Sequence, residues 1–404
     1  MLSFPEYTEI RDLLVSRVRC VDTERVPLLE SAGRVLAADL FAQADIPAFD
    51  RSPYDGYAFR AADTAGATRD NPVTLRILEE VAAGALPTQA VTPGTAVKIL
   101  TGAPIPEGAD AVINYEATRF TAEAVTLFDP VKPGANIVRR GDDVRAGTLL
   151  ARCGQVIDAG TAGTLAGQGV AAPEVFRVPQ IAVLSTGSEL VEADAVPGRG
   201  MIRNSNAYMI AAALRKEGLE PVYFGIASDT EESIAARIEE ALCSCDGLIT
   251  TGGVSVGDYD LTPAAMERCG AEMLCRGVLL KPGMACAYGV RGGKPVLGLS
   301  GNPASCVINL YTVAFPALRR LAGRTDVLPQ EIPLRIDADF PKKSGVTRIL
   351  RGTLVLDGGE AVLHLPAGQG NVALSSTIGC DAMAVIPGGS GPQPKGTVLR
   401  GFLI

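Results

Sequence analysis

The chain has 404 residues, is 47% hydrophobic and 20% charged, and carries a formal net charge of −8. That length exceeds what one core usually supports, so about two to four domains are expected. No apolar run approaches the ~20 residues of a membrane helix, and no basic tract suits nucleic acid or an anionic membrane. Met1-Leu-Ser-Phe-Pro-Glu does not have the basic-then-apolar pattern of a leader, so export is not expected. A cytoplasmic protein is expected.

Nine cysteines, an odd number, lack zinc spacing and sit mostly in apolar contexts, among them Cys243, Cys245, Cys286 and Cys306. Buried, reduced thiols are the expectation. The single histidine, His364, lies in an alternating segment. Chemistry needing a histidine base must pass through it. Otherwise carboxylates, hydroxyls, lysines and backbone dipoles must do the work.

Residues 5–18 read as an amphipathic helix, with Ile10, Leu13, Leu14 and Val18 at helical spacing. Residues 28–40 carry a second helical pattern. Residues 42–57, with prolines and the turn pair Asp55-Gly56, read as an extended loop. Short β-like runs follow at 73–78, 96–100, 111–114 and 124–128, separated by glycine and proline turns, as in a small barrel or sandwich. Residues 134–144 set two arginines against two aspartates. Residues 145–177 return to helix and turn. Their Gly167-Gln-Gly169-Val-Ala-Ala172 matches a dinucleotide fingerprint in letters only, because it follows a helix rather than a strand.

From Pro179 strands alternate with helices, which implies a parallel-rich sheet between helical layers. Strand runs at 181–184, 248–251 and 296–299 end in turns at Gly187, Gly252-Gly253 and Gly301, each with hydroxyl or amide residues beside it. Ligands bind at the carboxyl ends of such strands, so the turns are expected to converge on one pocket for a polyanion. Asp229-Thr-Glu-Glu232 reads as a capping box, and Thr262-Pro263 as a helix cap and first turn. Glu189, Asp229, Asp258 and Asp260 beside these turns would repel a bare phosphate but suit Mg²⁺ on a phosphate. Lys281, before Pro-Gly, and Arg351 are candidates for a small oxyanion, with Ser305, Ser375 and Ser376 donating hydrogen bonds. After about residue 328 the pattern is β again, at 334–337, 348–351, 354–356, 362–365, 383–386 and 398–402.

These residues carry a family resemblance. Phe49-Asp-Arg-Ser-Pro-Tyr-Asp-Gly-Tyr-Ala58, Thr101-Gly-Ala-Pro-Ile-Pro-Glu-Gly-Ala-Asp-Ala-Val112, Arg140-Gly-Asp-Asp-Val144, Leu184-Ser-Thr-Gly-Ser-Glu-Leu190, Thr251-Gly-Gly-Val-Ser-Val-Gly257, Lys281-Pro-Gly283 and Gly301-Asn-Pro-Ala-Ser305 appear in the order seen in molybdopterin molybdenumtransferases. The chain resembles that family, which includes the C-terminal domain of gephyrin, along nearly its whole length.

The resemblance implies an elongated homodimer of four-domain subunits, with boundaries at 1–49 plus 139–177, 50–138, 178–327 and 328–404. The expected fold is a central α/β three-layer domain with a parallel-rich sheet, flanked by an elongated α+β segment and two small β domains. The implied reaction takes molybdate and adenylylated molybdopterin and, with Mg²⁺, inserts molybdenum and releases AMP. By position, Asp55, Asp143, Glu189, Asp229 and Asp260 match catalytic acids, with Asp229, Asp258 and Asp260 for the metal. Thr101, Thr186, Gly187, Thr251, Gly252, Gly253, Ser255, Gly301 and Asn302 match substrate positions. Lys281, Ser305, Arg351, Ser375 and Ser376 match the molybdate site. Transient contact with the adenylyltransferase and with molybdoenzymes is implied as well. Where relatives have Lys-Pro-Gly-Lys-Pro, this chain has Lys281-Pro-Gly-Met284-Ala285. A pterin-binding scaffold without insertion activity, a tungstate-preferring insertase and an unrelated Mg²⁺-dependent nucleotide hydrolase are the alternatives.

Overall fold

A computed structural model describes residues 1–254 and 261–404. Two compact units emerge: one of Met1–Ala38, Arg152–Ala162 and Ala171–Ile404, the other of Asp39–Ala151 and Gly163–Val170.

The first unit is built on strands β1 (Gln180–Thr186), β2 (Glu220–Ala227), β3 (Gly247–Thr251) and β4 (Lys294–Leu299). They run parallel in the spatial order β4-β3-β1-β2. Ala287–Arg291 and Glu272–Arg276 extend the sheet antiparallel beyond β4, and Leu2–Ser3 completes seven strands. The unit's helices include the N-terminal helix Tyr7–Arg17 and, around the strands, α1 (Ser205–Lys216), α2 (Glu231–Ser244), α3 (Thr262–Arg268) and α4 (Pro303–Asn309).

Strand period decides which helix meets which face. Ala182, Leu184, Leu248 and Val296 pack on Ile234, Ile238 and Leu242 of α2 and on Met266 of α3. Their alternates Ile181, Val183, Ile249 and Leu297 pack on Ile210 and Leu214 of α1, on α4, and on Ile10 and Leu14 of the N-terminal helix. Each fully buried Leu or Ile contributes about 1.5–3 kcal/mol, so this two-faced core fixes the strand ends firmly.

At the base of the sheet Arg177 donates Nη1 to Asp246 Oδ2 (2.6 Å) and Nη2 to Oδ1, and the Gln180 N–H donates to Oδ2 (2.9 Å). Burial pushes the Asp246 carboxyl up, but the Arg177 fork and the Gln180 N–H outweigh it and leave it below its usual range. A depressed carboxyl stabilises the fold above its unfolded pKa of about 3.9 and loses that contribution as pH falls through the folded value. Asp246→Asn is therefore expected to cost about 1–2 kcal/mol at pH 7 in urea unfolding, with the deficit shrinking below about pH 4. A deficit independent of pH would contradict this.

The C-terminal strands Glu331–Ile336, Thr347–Asp357, Glu360–His364, Ala382–Ile386 and Val398–Leu403 form a barrel. Thr347–Asp357 pairs with both Glu360–His364 and Ala382–Ile386, which closes the ring. Leu280–Lys281 adds to Thr347–Asp357 in parallel, with Lys281 opposite Arg348. The second unit holds a six-stranded sheet in the order Ala111–Asn114, Gly56–Phe59, Thr95–Ile99, Val73–Val81, Ala124–Leu127, Thr118–Phe120.

Several expectations are corrected. Residues 28–40 form no α-helix: a 3₁₀ turn at Leu28–Glu30 is followed by short strands at Val35–Leu36 and Leu40–Phe41. Gly33, at φ +77°, turns the chain where the apolar spacing would otherwise continue a helix. The loop expected through Tyr57 gives way one residue after Asp55 to the fully buried strand Gly56–Phe59. None of the nine cysteines forms a disulfide, but Cys243 is exposed, because α2 turns it off the Ile234–Ile238–Leu242 face.

Candidate functional site

β1, β3 and β4 end side by side, and a cleft of about 610 Å³ opens over their carboxyl ends. Thr186, Gly187 and Glu189 line it from β1, Thr251, Gly252 and Gly253 from β3, and Gly301 and Asn302 from β4. Asp229 joins them from beyond β2. The three glycine turns thus share one wall.

Glycine is required there. Gly252 has φ +98°, and a Cβ on it would lie 2.4 Å from the Thr186 carbonyl oxygen; on Gly253, at φ +61°, it would lie 2.5 Å from Thr262 Oγ1. The turns pack backbone against backbone. Gly252→Ala is expected to lose about 2–4 kcal/mol in urea unfolding from strain plus overlap. Gly301→Ala, whose Cβ meets nothing nearer than 3.5 Å, should change stability by less than about 1 kcal/mol. Equal losses would contradict this reading of the wall.

Local capping differs from expectation in two places. The α2 cap is Thr230, whose hydroxyl accepts from the Ser233 N–H (3.2 Å). Asp229 is thereby left to accept from the Ser188 N–H (2.7 Å), which ties it to the first glycine turn. Thr262 caps nothing; its hydroxyl donates to the Gly252 carbonyl (3.2 Å), pinning the second turn. The Gly187 turn leads into the short strand Leu190–Val191 rather than a helix, with Glu189 exposed on the turn. Helix dipoles therefore matter less here than glycine backbone and side chains. Ser255, Asp258 and Asp260 lie outside the described residues.

The oxyanion candidates gather around α4. Ser305 is buried within it, and Asn309 at its end donates Nδ2 to the Gly283 carbonyl (3.0 Å), holding the Lys281-Pro-Gly turn. At its start the Ala304 N–H donates to the Asn371 carbonyl (3.1 Å), and the helix packs on the turn Leu374–Thr377, which carries Ser375 and Ser376. Lys281 is exposed, as is Ser375; Ser376 is buried. Ala285 and Val372 line the cleft, so these loops border it.

Arg351 is fully buried. Its Nε donates to Ser376 Oγ (3.0 Å), and its Nη2 donates to the same oxygen and to the carbonyls of Gly368 (3.2 Å) and Gly370 (3.0 Å). All of these partners are neutral, and among the described residues no carboxylate pairs with it. Burial accordingly pulls its guanidinium pKa down. A buried cation lacking a counter-charge is costly and favours a neighbouring anion.

In the second unit Asp55 accepts from both the N–H and the hydroxyl of Thr101 (2.7 and 2.8 Å). The Thr101 N–H, then its hydroxyl, hold this exposed carboxyl below the usual range. Asp143 is exposed, with its backbone N–H bonded to Ile46 (3.0 Å). The expected arginine–aspartate set forms with other acids: Arg139 pairs with Asp50 and Arg140 with Asp45 (2.6 and 2.5 Å).

Sequence reading missed the wall at 202–206. Asn204 caps α1, accepts from Ser185 Oγ (3.0 Å) and donates to the Tyr223 hydroxyl (3.0 Å), which donates to Glu192 (2.9 Å). Burial, then that bond to Glu192, pushes the Tyr223 phenol up to about 12. The available signal was Asn204-Ser-Asn206, polar residues too dense for a plain helix start.

Fold and site together define a multidomain α/β protein with a cleft of glycine turns and polar side chains at parallel strand ends and a buried arginine on a neighbouring loop. Residues 5–169 match the family model described as the MoeA N-terminal region (domain I and II), and residues 182–320 the one described as a probable molybdopterin binding domain. A molybdopterin molybdenumtransferase of Bacillus subtilis (strain 168) is 37% identical over 394 residues, covering 95% of this chain and 90% of that protein. One from Staphylococcus aureus (strain Mu50 / ATCC 700699) is 37% identical over 368 residues, covering 90% and 87%. The crystal structure of the molybdopterin biosynthesis moeA protein from Pyrococcus horikoshii OT3 matches with TM-score 0.86 at 31% identity, covering 99% of this chain and 100% of that one. The chain belongs to the molybdopterin molybdenumtransferase family, transferases of molybdenum cofactor biosynthesis.

Proposed function

We propose that the protein transfers molybdenum from molybdate to adenylylated molybdopterin, with Mg²⁺-dependent release of AMP. The observation that carries this is the buried, carboxylate-free Arg351, held by loops that border the strand-end cleft. A cleft lined by glycine backbone and hydroxyls suits a nucleotide–pterin pyrophosphate. The neighbouring cation supplies what molybdate, a small dianion, needs.

The donor set fits Mg²⁺, which takes one or two hard carboxylates and keeps several waters. Asp229 lines the cleft as the carboxylate offered to it, with Asp258 and Asp260 close in sequence. Once bound, Mg²⁺ would neutralise charge on the phosphoanhydride as it breaks. Among the described residues no cluster of three histidine, cysteine or acidic side chains stands ready as a closed metal cage.

Roles then divide. Thr186, Gly187, Thr251, Gly252, Gly253, Gly301 and Asn302 hold the pterin–nucleotide. Lys281, Ser305, Ser375 and Ser376 surround the oxyanion with Arg351. Asp55, Thr101 and Asp143 are assigned to the partner-facing side of a homodimer, by family resemblance. No helix among the described residues is long and apolar enough to cross a membrane, and we infer a cytoplasmic location.

The test is AMP release from purified protein given adenylylated molybdopterin, molybdate and Mg²⁺. Release that requires both molybdate and Mg²⁺ is expected. Tight pterin–nucleotide binding without release would favour a scaffold, equal turnover of simple ATP a general hydrolase, and preference for tungstate a different cargo.

A further inference from the structure

Strand Thr347–Asp357 has a gap along one edge. Leu280–Lys281 pairs with it as far as Arg348, and Glu360–His364 takes over from Thr353. Arg351 lies between, and a side chain meets its backbone. The Arg351 N–H donates to Gln369 Oε1 (3.3 Å), and Gln369 Nε2 donates to the Arg351 carbonyl (2.8 Å). One carboxamide thus stands in for a strand residue. The same Oε1 lies 3.5 Å from Arg351 Nη1, and the carbonyls flanking residue 369, those of Gly368 and Gly370, accept from Nη2.

A backbone N–H only donates and a backbone carbonyl only accepts, so Arg351 itself fixes which end of the amide is which. A carboxylate of the same length could accept from the N–H and from Nη1, but it would set an oxygen against the Arg351 carbonyl. The guanidinium is therefore met by a neutral acceptor at the one place where an acid of the same reach would cancel its charge. Arg351 is sealed from solvent, so what it offers an anion outside the loop is its field and not a contact. At low effective dielectric such a field stays strong over several ångströms.

We propose that Gln369 is a positioning residue whose neutral carboxamide holds Arg351 in place without discharging it, so that the guanidinium's charge remains for molybdate. The inference rests on the reading of the Arg351 loops as the oxyanion site. Contacts to the anion then fall to exposed groups such as Lys281 and Ser375. Gln369→Glu brings a counter-charge to Nη1 and should hold the arginine while weakening its attraction for the dianion. Gln369→Met fills similar space, drops every hydrogen bond to Arg351 and leaves the charge uncancelled.

The experiment is AMP release by the full chain with adenylylated molybdopterin and Mg²⁺, reading KM for molybdate, kcat and the urea midpoint separately. Gln369→Glu is expected to raise KM for molybdate by about tenfold or more, the effect of cancelling one charge a few ångströms from a dianion, with kcat at saturating molybdate nearly unchanged. Gln369→Met should raise it by about threefold at most, yet have the lower urea midpoint of the two. A side chain that only packs and bonds gives the same order in both readouts, with Gln369→Met the worse. If Gln369→Met does not fold, Gln369→Asn, a neutral amide one methylene too short, takes its place. Failure of Gln369→Glu to fold overturns the proposal, as does a KM raised no more by Gln369→Glu than by the neutral variant while Arg351→Lys raises it. AMP release that ignores molybdate in wild type, or a KM that Arg351→Lys also leaves unmoved, overturns the oxyanion reading of Arg351 and the proposal with it.

Discussion

Asp229→Asn is expected to lower kcat/KM for AMP release by about 100-fold or more, equivalent to about 2.7 kcal/mol at the transition state. The amide keeps the side chain's size and an oxygen to accept from the Ser188 N–H, so the first glycine turn should stay in place. What disappears is the negative charge proposed to hold Mg²⁺. Raising the Mg²⁺ concentration should recover part of the rate, because a weakened site can still be filled by mass action. The neighbouring Thr230→Ala is the control: it removes the α2 cap and should cost about 1 kcal/mol of stability while leaving the Mg²⁺ dependence alone. If the two variants behave alike, Asp229 is part of the scaffold and not of the chemistry.

Arg351→Lys is the second large effect. Lysine retains a charge but cannot reproduce a planar fork that reaches Ser376, Gly368 and Gly370 together. The lost charge-assisted bonds are expected to cost about 2–3 kcal/mol, read as a lower urea midpoint. Faster amide exchange should be confined mainly to residues 366–377, the loop that the guanidinium pins. Molybdate-dependent AMP release should fall with it, whereas Lys281→Ala, at an exposed position, should reduce molybdate dependence with stability nearly intact. Equal stability losses in both would contradict the division into a buried organiser and an exposed ligand.

How much of this was legible beforehand follows from which signals are local. The strand ends at Gly187, Gly252 and Gly301 could be read because buried parallel strands are continuous apolar runs and glycine marks where they stop. The C-terminal barrel strands were readable from alternation, although 348–351 and 354–356 proved to be one strand, Thr347–Asp357, because Gly352 resembles a break. A Cβ there would meet the His364 carbonyl at 2.3 Å, so the glycine marks a close approach of strands and not a turn. Caps were read less well. Asp229, Thr230 and Thr262 are all competent N-caps, and which one acts depends on the distant Ser188 and Gly252. The role of Asn206 in tying two turns together depends likewise on distant partners, at 251 and 301, and the local Asn204-Ser-Asn206 signal only marks the spot. Arg351 was legible only as one possible oxyanion cation, a choice the resemblance supported. Its burial without a carboxylate is a tertiary fact that no strand pattern encodes.

The central claim is that the cleft and the Arg351 loops serve one reaction. It is tested most directly by a single turnover in which AMP and pterin-bound molybdenum are measured in the same sample, with and without molybdate. The account predicts that the two products appear together, mole for mole, and that omitting molybdate suppresses AMP. Full AMP release without molybdate, or release unaccompanied by molybdenum on the pterin, would contradict it.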